Sequence, residues 1–220
     1  DTGSLIRAYN REHGTRILFH TDAVQAFGKL DLRGSEADMI SVSGHKFHGP
    51  KGVGALFVRK GVNPEPLIYG GGQENGLRSG TEATAQIAGF AKAVEVRSRN
   101  LKDSLARMAE LKEYALQQLL TIPDLQRIGS GTAPHVLSVS LVGWPSQNIV
   151  TDLSSRGICI SAGSACHQGK PSHVIATLKL PKRVSGGVIR ISFGPESTKE
   201  DVDACVAALR EHHDTRMPML

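Results

Sequence analysis

The chain has 220 residues, of which 40% are hydrophobic and 21% charged, so it can bury a core and is not disordered by composition. Its net charge of +5 comes from scattered Lys and Arg residues and aromatics make up only 5%, which favours anionic ligands over nucleic acid. No apolar run reaches the roughly 18 residues of a membrane span, and no signal or transit segment is recognisable. The three cysteines lack Cys-x-x-Cys spacing, which disfavours a disulfide framework or a zinc site and favours the reducing cytoplasm.

The first half of the chain shows strand patterns separated by long connections. Short apolar or alternating runs predict strands at Arg16–His20, Met39–Val42 and Val53–Val58. Their connections are longer than hairpin turns, which favours an α/β sheet with crossovers. Over about residues 82–120 apolar side chains repeat at helical spacing, which predicts one long helix that leaves a first domain near residue 98.

The second half alternates between strand and helix patterns. Strands are predicted at His135–Val142, Ile158–Ser161 and Val188–Ser192, and helices at Ser146–Ser155 and Thr198–Arg210. The last helix opens with hydroxyl and acidic residues, which suit a helix amino terminus. We therefore predict an α/β domain over residues 1–98 and a small α+β domain over residues 99–220.

Asp22 directly follows the first predicted strand, and Gln25 comes one turn later. A carboxylate just beyond the carboxyl end of a strand in an open α/β sheet stands where such sheets bind ligands. The alternative is that Asp22 only caps the short helical stretch that follows it.

Ser43, His45 and Lys46 follow the second predicted strand in a glycine-rich stretch. Hydroxyl, imidazole and backbone N–H groups suit a phosphate, and we expect Gly44 to let the backbone approach a ligand closely. Small neighbours can remove the lysine amine partly from water, which favours its nucleophilic form. The order of a P-loop is absent, and a basic loop between two strands is the alternative.

Residues 70–81 form a second glycine-rich loop, which runs into the predicted long helix. Arg78, Ser79 and Thr81, with free N–H groups at the helix start, form another candidate anion site, and a flexible hinge is the alternative. Two anion-binding loops, an isolated carboxylate and a lysine together indicate a cofactor that is anionic at one end, basic at the other and reactive toward amines. Pyridoxal phosphate has these properties.

Among the three cysteines, Cys166 has the sequence context of a reactive thiol. Its neighbours are small, and a polar stretch with His167 and Lys170 follows it, which can favour the thiolate. Cys205 lies in an apolar helical run, and Cys159 lies in a predicted strand, so both are expected to face the core.

Several long motifs in order resemble those of the cysteine desulfurases, the NifS/IscS-like enzymes of the class V aminotransferase family with pyridoxal-phosphate fold type I. The motifs begin at His20 (HTDAVQ), Ser43 (SGHKFHGPKGVG) and Gly70 (GGGQENGLRSGT), continue at Ser161 (SAGSAC), and include Arg190. The resemblance implies the carboxy-terminal part of a large α/β domain with a mostly parallel sheet, followed by a small α+β domain. In that family a large amino-terminal part precedes this stretch, so we expect part of the cofactor site to be missing here.

The resemblance also implies a role for each candidate residue. Lys46 would hold pyridoxal phosphate as a Schiff base and move protons, and Asp22 would pair with the pyridine nitrogen. Gln25 would contact the phenolic oxygen. The remaining roles are phosphate binding by Ser43 and His45, phosphate binding across a homodimer by Thr81, and substrate-carboxylate binding by Arg190.

The activity that the resemblance implies is conversion of L-cysteine to L-alanine, with a persulfide formed on Cys166. That persulfide would pass to an acceptor protein, such as an iron–sulfur scaffold or a thiouridine enzyme. A selenocysteine lyase is the alternative within the fold. A catalytically incompetent chain that only binds a partner or accepts sulfur is the alternative from another class.

Overall fold

The computed structural model describes residues 2–162 and 173–219, and the chain divides into two compact units, unit 1 (Asp1–Leu101) and unit 2 (Lys102–Leu220). Within the described part of the chain, no helix is both long and apolar enough to cross a membrane. Over the same residues, no group of three or more His, Cys, Asp and Glu side chains could hold a metal ion.

Unit 1 is built on a three-stranded sheet of order β1-β2-β3. Its main elements in chain order are α1 (Thr2–His13), β1 (His20–Asp22), β2 (Met39–Ser43), a 3-10 helix (Gly44–Phe47), β3 (Gly54–Val58) and α2 (Thr84–Arg99). β1 runs parallel to β2, whereas β3 runs antiparallel to it. The length of the connection from β2 to β3 suggested a crossover, and this expectation is wrong. The chain instead reverses direction through the 3-10 helix, because antiparallel strands need no crossover connection.

The predicted strand at Arg16–His20 begins later than expected, and β1 starts only at His20. The backbone of Ile17 instead forms two hydrogen bonds with the side chain of Asn10, and the Phe19 N–H donates to the Asp38 carboxylate at 2.8 Å. Side chains therefore form the hydrogen bonds to the backbone of Ile17 and to the Phe19 N–H that a neighbouring strand would otherwise form.

Three aromatic rings form the packed centre of unit 1. Phe47 is fully buried, and its ring centroid lies 4.9 Å from that of Phe27 and 5.3 Å from that of Phe90. Since Phe47 ends the 3-10 helix and Phe90 lies on α2, this cluster attaches the stretch that contains Lys46 to α2.

The predicted continuous helix over residues 82–120 is two helices in the structure, α2 and α3 (Leu101–Leu119). Asn100 separates them with φ −123° and ψ 28°, which are not helical angles. Asn side chains compete for backbone hydrogen bonds and so favour helix ends over helix interiors. The division between unit 1 and unit 2 falls one residue later, after Leu101.

Unit 2 packs helices against an antiparallel three-stranded sheet of order β4-β5-β6. Its elements after α3 are β4 (Leu125–Arg127), β5 (Val136–Leu141), α4 (Ser146–Ser155), α5 (His173–Thr177), α6 (Lys182–Ser185), β6 (Val188–Ser192) and α7 (Lys199–Thr215). The predicted helix α4 and strand β6 are confirmed to the residue. The predicted strand at Ile158–Ser161 is wrong, because only Ser161 pairs, in an isolated bridge with Arg190.

Helix α7 has the amino-terminal signature that the sequence indicated, with Thr198 as its cap. The Asp201 N–H donates to the Thr198 hydroxyl at 3.2 Å, and the Thr198 N–H donates to the Asp201 carboxylate at 2.9 Å. This reciprocal capping box satisfies two backbone donors at the helix start.

Candidate active site

Two parallel strands bring the candidate residues of unit 1 to one edge of the sheet. Asp22 ends β1 in register with Ser41 of β2, and the Ala23 N–H donates to the Ser41 carbonyl at 2.9 Å. Two residues after Ser41, β2 ends at Ser43, and the 3-10 helix that contains Lys46 follows. Because β1 and β2 run in the same direction, Asp22, Ser43 and Lys46 lie toward their shared carboxyl edge, where open α/β sheets bind ligands.

The Asp22 carboxylate uses one of its oxygens in the fold. Its Oδ1 accepts a hydrogen bond from the Val24 N–H at 3.0 Å, which stabilises the turn after β1. The side chain is exposed, and Oδ2 has no hydrogen-bond or ion-pair partner among the described residues. No helix begins at the described residues directly after Asp22, so Oδ1 stabilises a turn and does not cap a helix as the alternative proposed, while Oδ2 remains available to a ligand.

Gln25 lies on the same turn, also with an exposed side chain. Its Oε1 accepts a hydrogen bond from Lys29 Nζ at 3.3 Å. The Gln25 amide N–H groups have no partner in the described part of the chain and can donate to a ligand oxygen without disturbing the contact with Lys29.

The end of β2 supplies a hydroxyl, an imidazole and an amine close together in the chain. Ser43 Oγ and His45 Nδ1 lie 2.9 Å apart. Lys46 is half-buried, and within the described part of the chain its amine makes no ion pair or hydrogen bond. No structural salt bridge there competes with a ligand for this amine.

Gly44 is needed for packing and does not open the backbone to a ligand, contrary to the sequence expectation. A Cβ at this position would lie 3.0 Å from the Pro50 carbonyl oxygen, 3.1 Å from the Phe90 ring and 3.2 Å from Val53. The Gly44 carbonyl accepts the Gly49 N–H at 2.9 Å. Gly44 thus allows the 3-10 helix to pack closely against α2 and the turn that follows.

The glycine-rich loop over residues 70–81 satisfies much of its own hydrogen bonding. The Arg78 guanidinium donates to the Ser79 carbonyl, and the Gly80 N–H donates to Gln73 Oε1 at 3.1 Å. Ser79 is buried, whereas Thr81 is exposed. The anion site of Arg78, Ser79 and Thr81 therefore stays a prediction. Of these three side chains, Thr81 is both exposed and without a partner in the described part of the chain.

Arg190 lies on β6 of unit 2 and is half-buried. Its N–H donates to the Ser161 carbonyl at 2.7 Å, and the Ser161 N–H donates to the Arg190 carbonyl at 3.1 Å. These bonds fasten the chain shortly before Cys166, which lies outside the described residues together with His167 and Lys170.

The two described cysteines differ from one another in exposure. Cys159 is exposed, so the expectation that it faces the core is wrong. Cys205 is buried, and its removal from water raises the pKa of its thiol to about 11. Burial therefore keeps Cys205 in the unreactive thiol form near neutral pH.

Sequence reasoning missed a contact beside Asp22. His20 Nε2 and Ser41 Oγ lie 2.8 Å apart, although the two residues are separated by 21 positions in the chain. Alternation along each strand would have placed His20 with Asp22 and Ser41 with Ser43, but only the register of β1 against β2 joins the two pairs.

The chain is similar to proteins of one family over nearly its whole length. Residues 4–205 match the family described as aminotransferase class-V. A cysteine desulfurase of Rhodobacter capsulatus is 40% identical over 90% of this chain and 53% of that relative. The cysteine desulfurase IscS of Clostridium botulinum is 39% identical over 88% of this chain and 51% of that relative.

Solved structures give the same likeness. A NifS-like protein matches with a TM-score of 0.84 at 34% identity, over 97% of this chain and 57% of that one. This chain spans about half the length of the curated relatives that it matches. The resemblance to the cysteine desulfurases and the predicted fold class are confirmed, and the chain belongs to the aminotransferase class-V family.

Proposed function

We propose that this chain acts as a pyridoxal-phosphate-dependent cysteine desulfurase, with Lys46 as the attachment point and Cys166 as the sulfur acceptor. The observation that carries the proposal is the parallel register of β1 and β2, which brings Asp22 and Lys46 to one sheet edge in a chain similar to cysteine desulfurases. The function of the whole protein is part of the proposal, because the relatives are about twice as long.

The side chains of unit 1 fit the chemistry of pyridoxal phosphate. The cofactor has a ring nitrogen that pairs with a carboxylate, a phosphate and an aldehyde that reacts with a lysine amine. Asp22 Oδ2 and the Lys46 amine have no partner in the described part of the chain, and Ser43 and His45 supply a hydroxyl and an imidazole between them in sequence.

Each residue would contribute a binding or proton-transfer step. Asp22 would keep the ring nitrogen protonated, and Ser43 and His45 would bind the phosphate. The bound cofactor would supply an electron sink for bonds at the substrate α-carbon. The Lys46 amine, after release, would remove and return the proton at that carbon.

Cys166 and Arg190 would act on the substrate L-cysteine. The planar guanidinium of Arg190 would bind the α-carboxylate in two parallel hydrogen bonds. The Cys166 thiolate would attack the substrate sulfur, so that an S–S bond forms while the Cβ–S bond breaks. The electron pair would stay on Cβ, which takes up a proton to give alanine, and a persulfide would remain on Cys166.

The same proposal includes partners and location. The exposed Thr81 would bind the cofactor phosphate of a second copy in a homodimer. The persulfide would pass to a sulfur-acceptor protein, such as an iron–sulfur scaffold, and the reducing thiol chemistry suits the cytoplasm.

The attachment point can be tested by mass spectrometry after pyridoxal phosphate is added and reduced with borohydride. We expect a pyridoxyl group on the peptide that contains Lys46, and its loss in Lys46→Ala. Lys51→Ala is the matched control, because Lys51 is an exposed lysine of the same loop and should leave the adduct intact. An adduct that persists in Lys46→Ala would contradict the assignment.

The unreduced, loaded protein tests the reaction in the same experiment. L-cysteine should yield alanine and a Cys166 peptide that is heavier by one sulfur atom. Cofactor attachment without either product would favour the alternative of a catalytically incompetent binding protein. Faster release of alanine from selenocysteine than from cysteine would favour the selenocysteine lyase.

A further inference from the structure

Four polar side chains form a row on one face of the unit 1 sheet. His20 and Asp22 share one face of β1 because they are two residues apart, and Ser41 and Ser43 share one face of β2 for the same reason. The parallel register sets Asp22 beside Ser41, so both pairs project on the same side of the sheet.

His20 and Asp22 are neighbours in this row, yet they do not pair. Their Cα atoms are about 6.6 Å apart at the usual strand rise of about 3.3 Å per residue. A solvent-exposed imidazole N–H and a carboxylate at this spacing can form a charge-assisted hydrogen bond. In the structure no ion pair or hydrogen bond joins them, and His20 Nε2 instead lies 2.8 Å from Ser41 Oγ.

Ser41 contacts the chain on both sides of Asp22. Its carbonyl accepts the N–H of Ala23, directly after Asp22, and its hydroxyl holds the imidazole of His20, two residues before Asp22. The backbone contact does not depend on the side chain, because any residue in β2 has the same carbonyl. The contact with His20, in contrast, depends on the Ser41 hydroxyl.

We propose that Ser41 is a positioning residue that holds the His20 imidazole away from Asp22, so that Asp22 Oδ2 stays available to the cofactor ring nitrogen. This inference rests on the proposed function for its consequence, but the contact itself exists without cofactor. Without the Ser41 hydroxyl, the imidazole turns to the Asp22 carboxylate and competes with the cofactor for it.

The test is the dissociation constant of pyridoxal phosphate for four proteins, measured by cofactor absorbance. Ser41→Ala should bind about two- to fivefold more weakly, the size of an exposed ion pair. His20→Ala should bind as the unchanged protein does, and the double variant Ser41→Ala/His20→Ala should recover that affinity, because no competitor remains. A double variant as weak as Ser41→Ala, or a weak His20→Ala, would overturn the proposal.

Two control variants separate this effect from a general loss of hydroxyl groups. Ser41→Thr keeps the hydroxyl and should bind normally. Thr21→Val deletes a hydroxyl from the opposite face of β1 and should also bind normally.

A second readout needs no cofactor. The imidazole nitrogen resonances of His20 should respond to Asp22→Asn in the Ser41→Ala background and not in the unchanged background. If they respond equally in both, the proposal is wrong. If the unchanged protein takes up no pyridoxal phosphate, the proposed function fails, while this measurement still decides the role of Ser41.

Discussion

At the scale of single residues, Asp22 shows how one side chain can stabilise the fold and still offer an oxygen to a ligand. Its Oδ1 is committed to the Val24 N–H, which fixes the direction of the carboxylate. A group oriented in this way by its own turn loses less freedom when it binds a ligand through Oδ2. Stabilisation of the turn and the proposed binding of a ligand are therefore compatible, because they use different oxygens of Asp22.

Gly44 gives a stability prediction at the same scale. Gly44→Ala should lower the free energy of unfolding by about 1–3 kcal/mol, because the added methyl meets the Pro50 backbone in a packed site. The measurement is urea unfolding followed by far-UV circular dichroism. Gly131→Ala is the matched control, since nothing lies within 4 Å of a Cβ there, and it should change stability by less than about 0.5 kcal/mol. Equal effects of the two substitutions would be inconsistent with tight packing at Gly44.

At the scale of elements, Asp152 connects helices α4 and α7 of unit 2. Its Oδ2 lies 2.7 Å from His212 Nδ1 of α7, and Arg156 lies at 3.4 Å from the same oxygen. Arg216, which follows α7, lies 3.8 Å from Oδ1. The Asp152 side chain is only 13% exposed, so these contacts are shielded from water more than a surface ion pair is.

These contacts predict a pH dependence of stability. The His212 hydrogen bond, aided by Arg156 and Arg216 and opposed by burial, holds the pKa of Asp152 below its ordinary value. Because the folded pKa is the lower one, the stabilisation is present above the unfolded pKa of about 4 and is lost as pH falls through the folded pKa.

Asp152→Asn should therefore destabilise unit 2 by about 1–3 kcal/mol at neutral pH and flatten the loss of stability on acidification. Urea midpoints taken from Trp144 fluorescence across acidic pH measure both effects. Glu110→Gln, which changes an exposed acid of α3 without a described ion pair, should leave the profile unchanged. A profile of Asp152→Asn parallel to that of the unchanged protein would refute the assignment.

At the scale of the whole molecule, the two units differ in how much apolar surface they bury. Unit 2 has a continuous core drawn from α3, β5, β6 and α7, with Leu209 and Val139 fully buried. In the described part of unit 1, the buried apolar residues are Ala23, Ala37, Phe47 and Val62, and Phe57 on β3 is 52% exposed. The hydrophobic contribution to folding, which scales with buried apolar area, is thus smaller in unit 1.

This difference predicts two unfolding steps. Trp144, the single tryptophan, is buried in unit 2 and reports that unit alone, whereas circular dichroism reports both. An early loss of ellipticity without a change in fluorescence should precede the Trp144 transition by about 1 M urea or more. Leu209→Ala should shift only the later step, by about 2–5 kcal/mol. Coincident transitions in both signals would contradict the prediction.

The sequence predicted best where local pattern and local structure agree. Helix α4 and strand β6 match their predicted bounds, since each has a regular apolar period. The prediction was less accurate where a side chain replaced a backbone partner, as Asn10 does for Ile17 before β1. For the site, the chain order placed Asp22 and Lys46 after successive strands, but it did not reveal that Gly44 packs against Phe90.

Local periodicity, capping residues and contiguous motifs were sufficient to identify the family, helices α4 and α7 and the candidate residues, because each of these depends on neighbours within a few positions. The pairing of His20 with Ser41, the antiparallel return of β3 and the exposure of Cys159 appeared only in the folded chain. They depend on strand register and on packing between residues distant in sequence, and such contacts cannot be read from local sequence patterns.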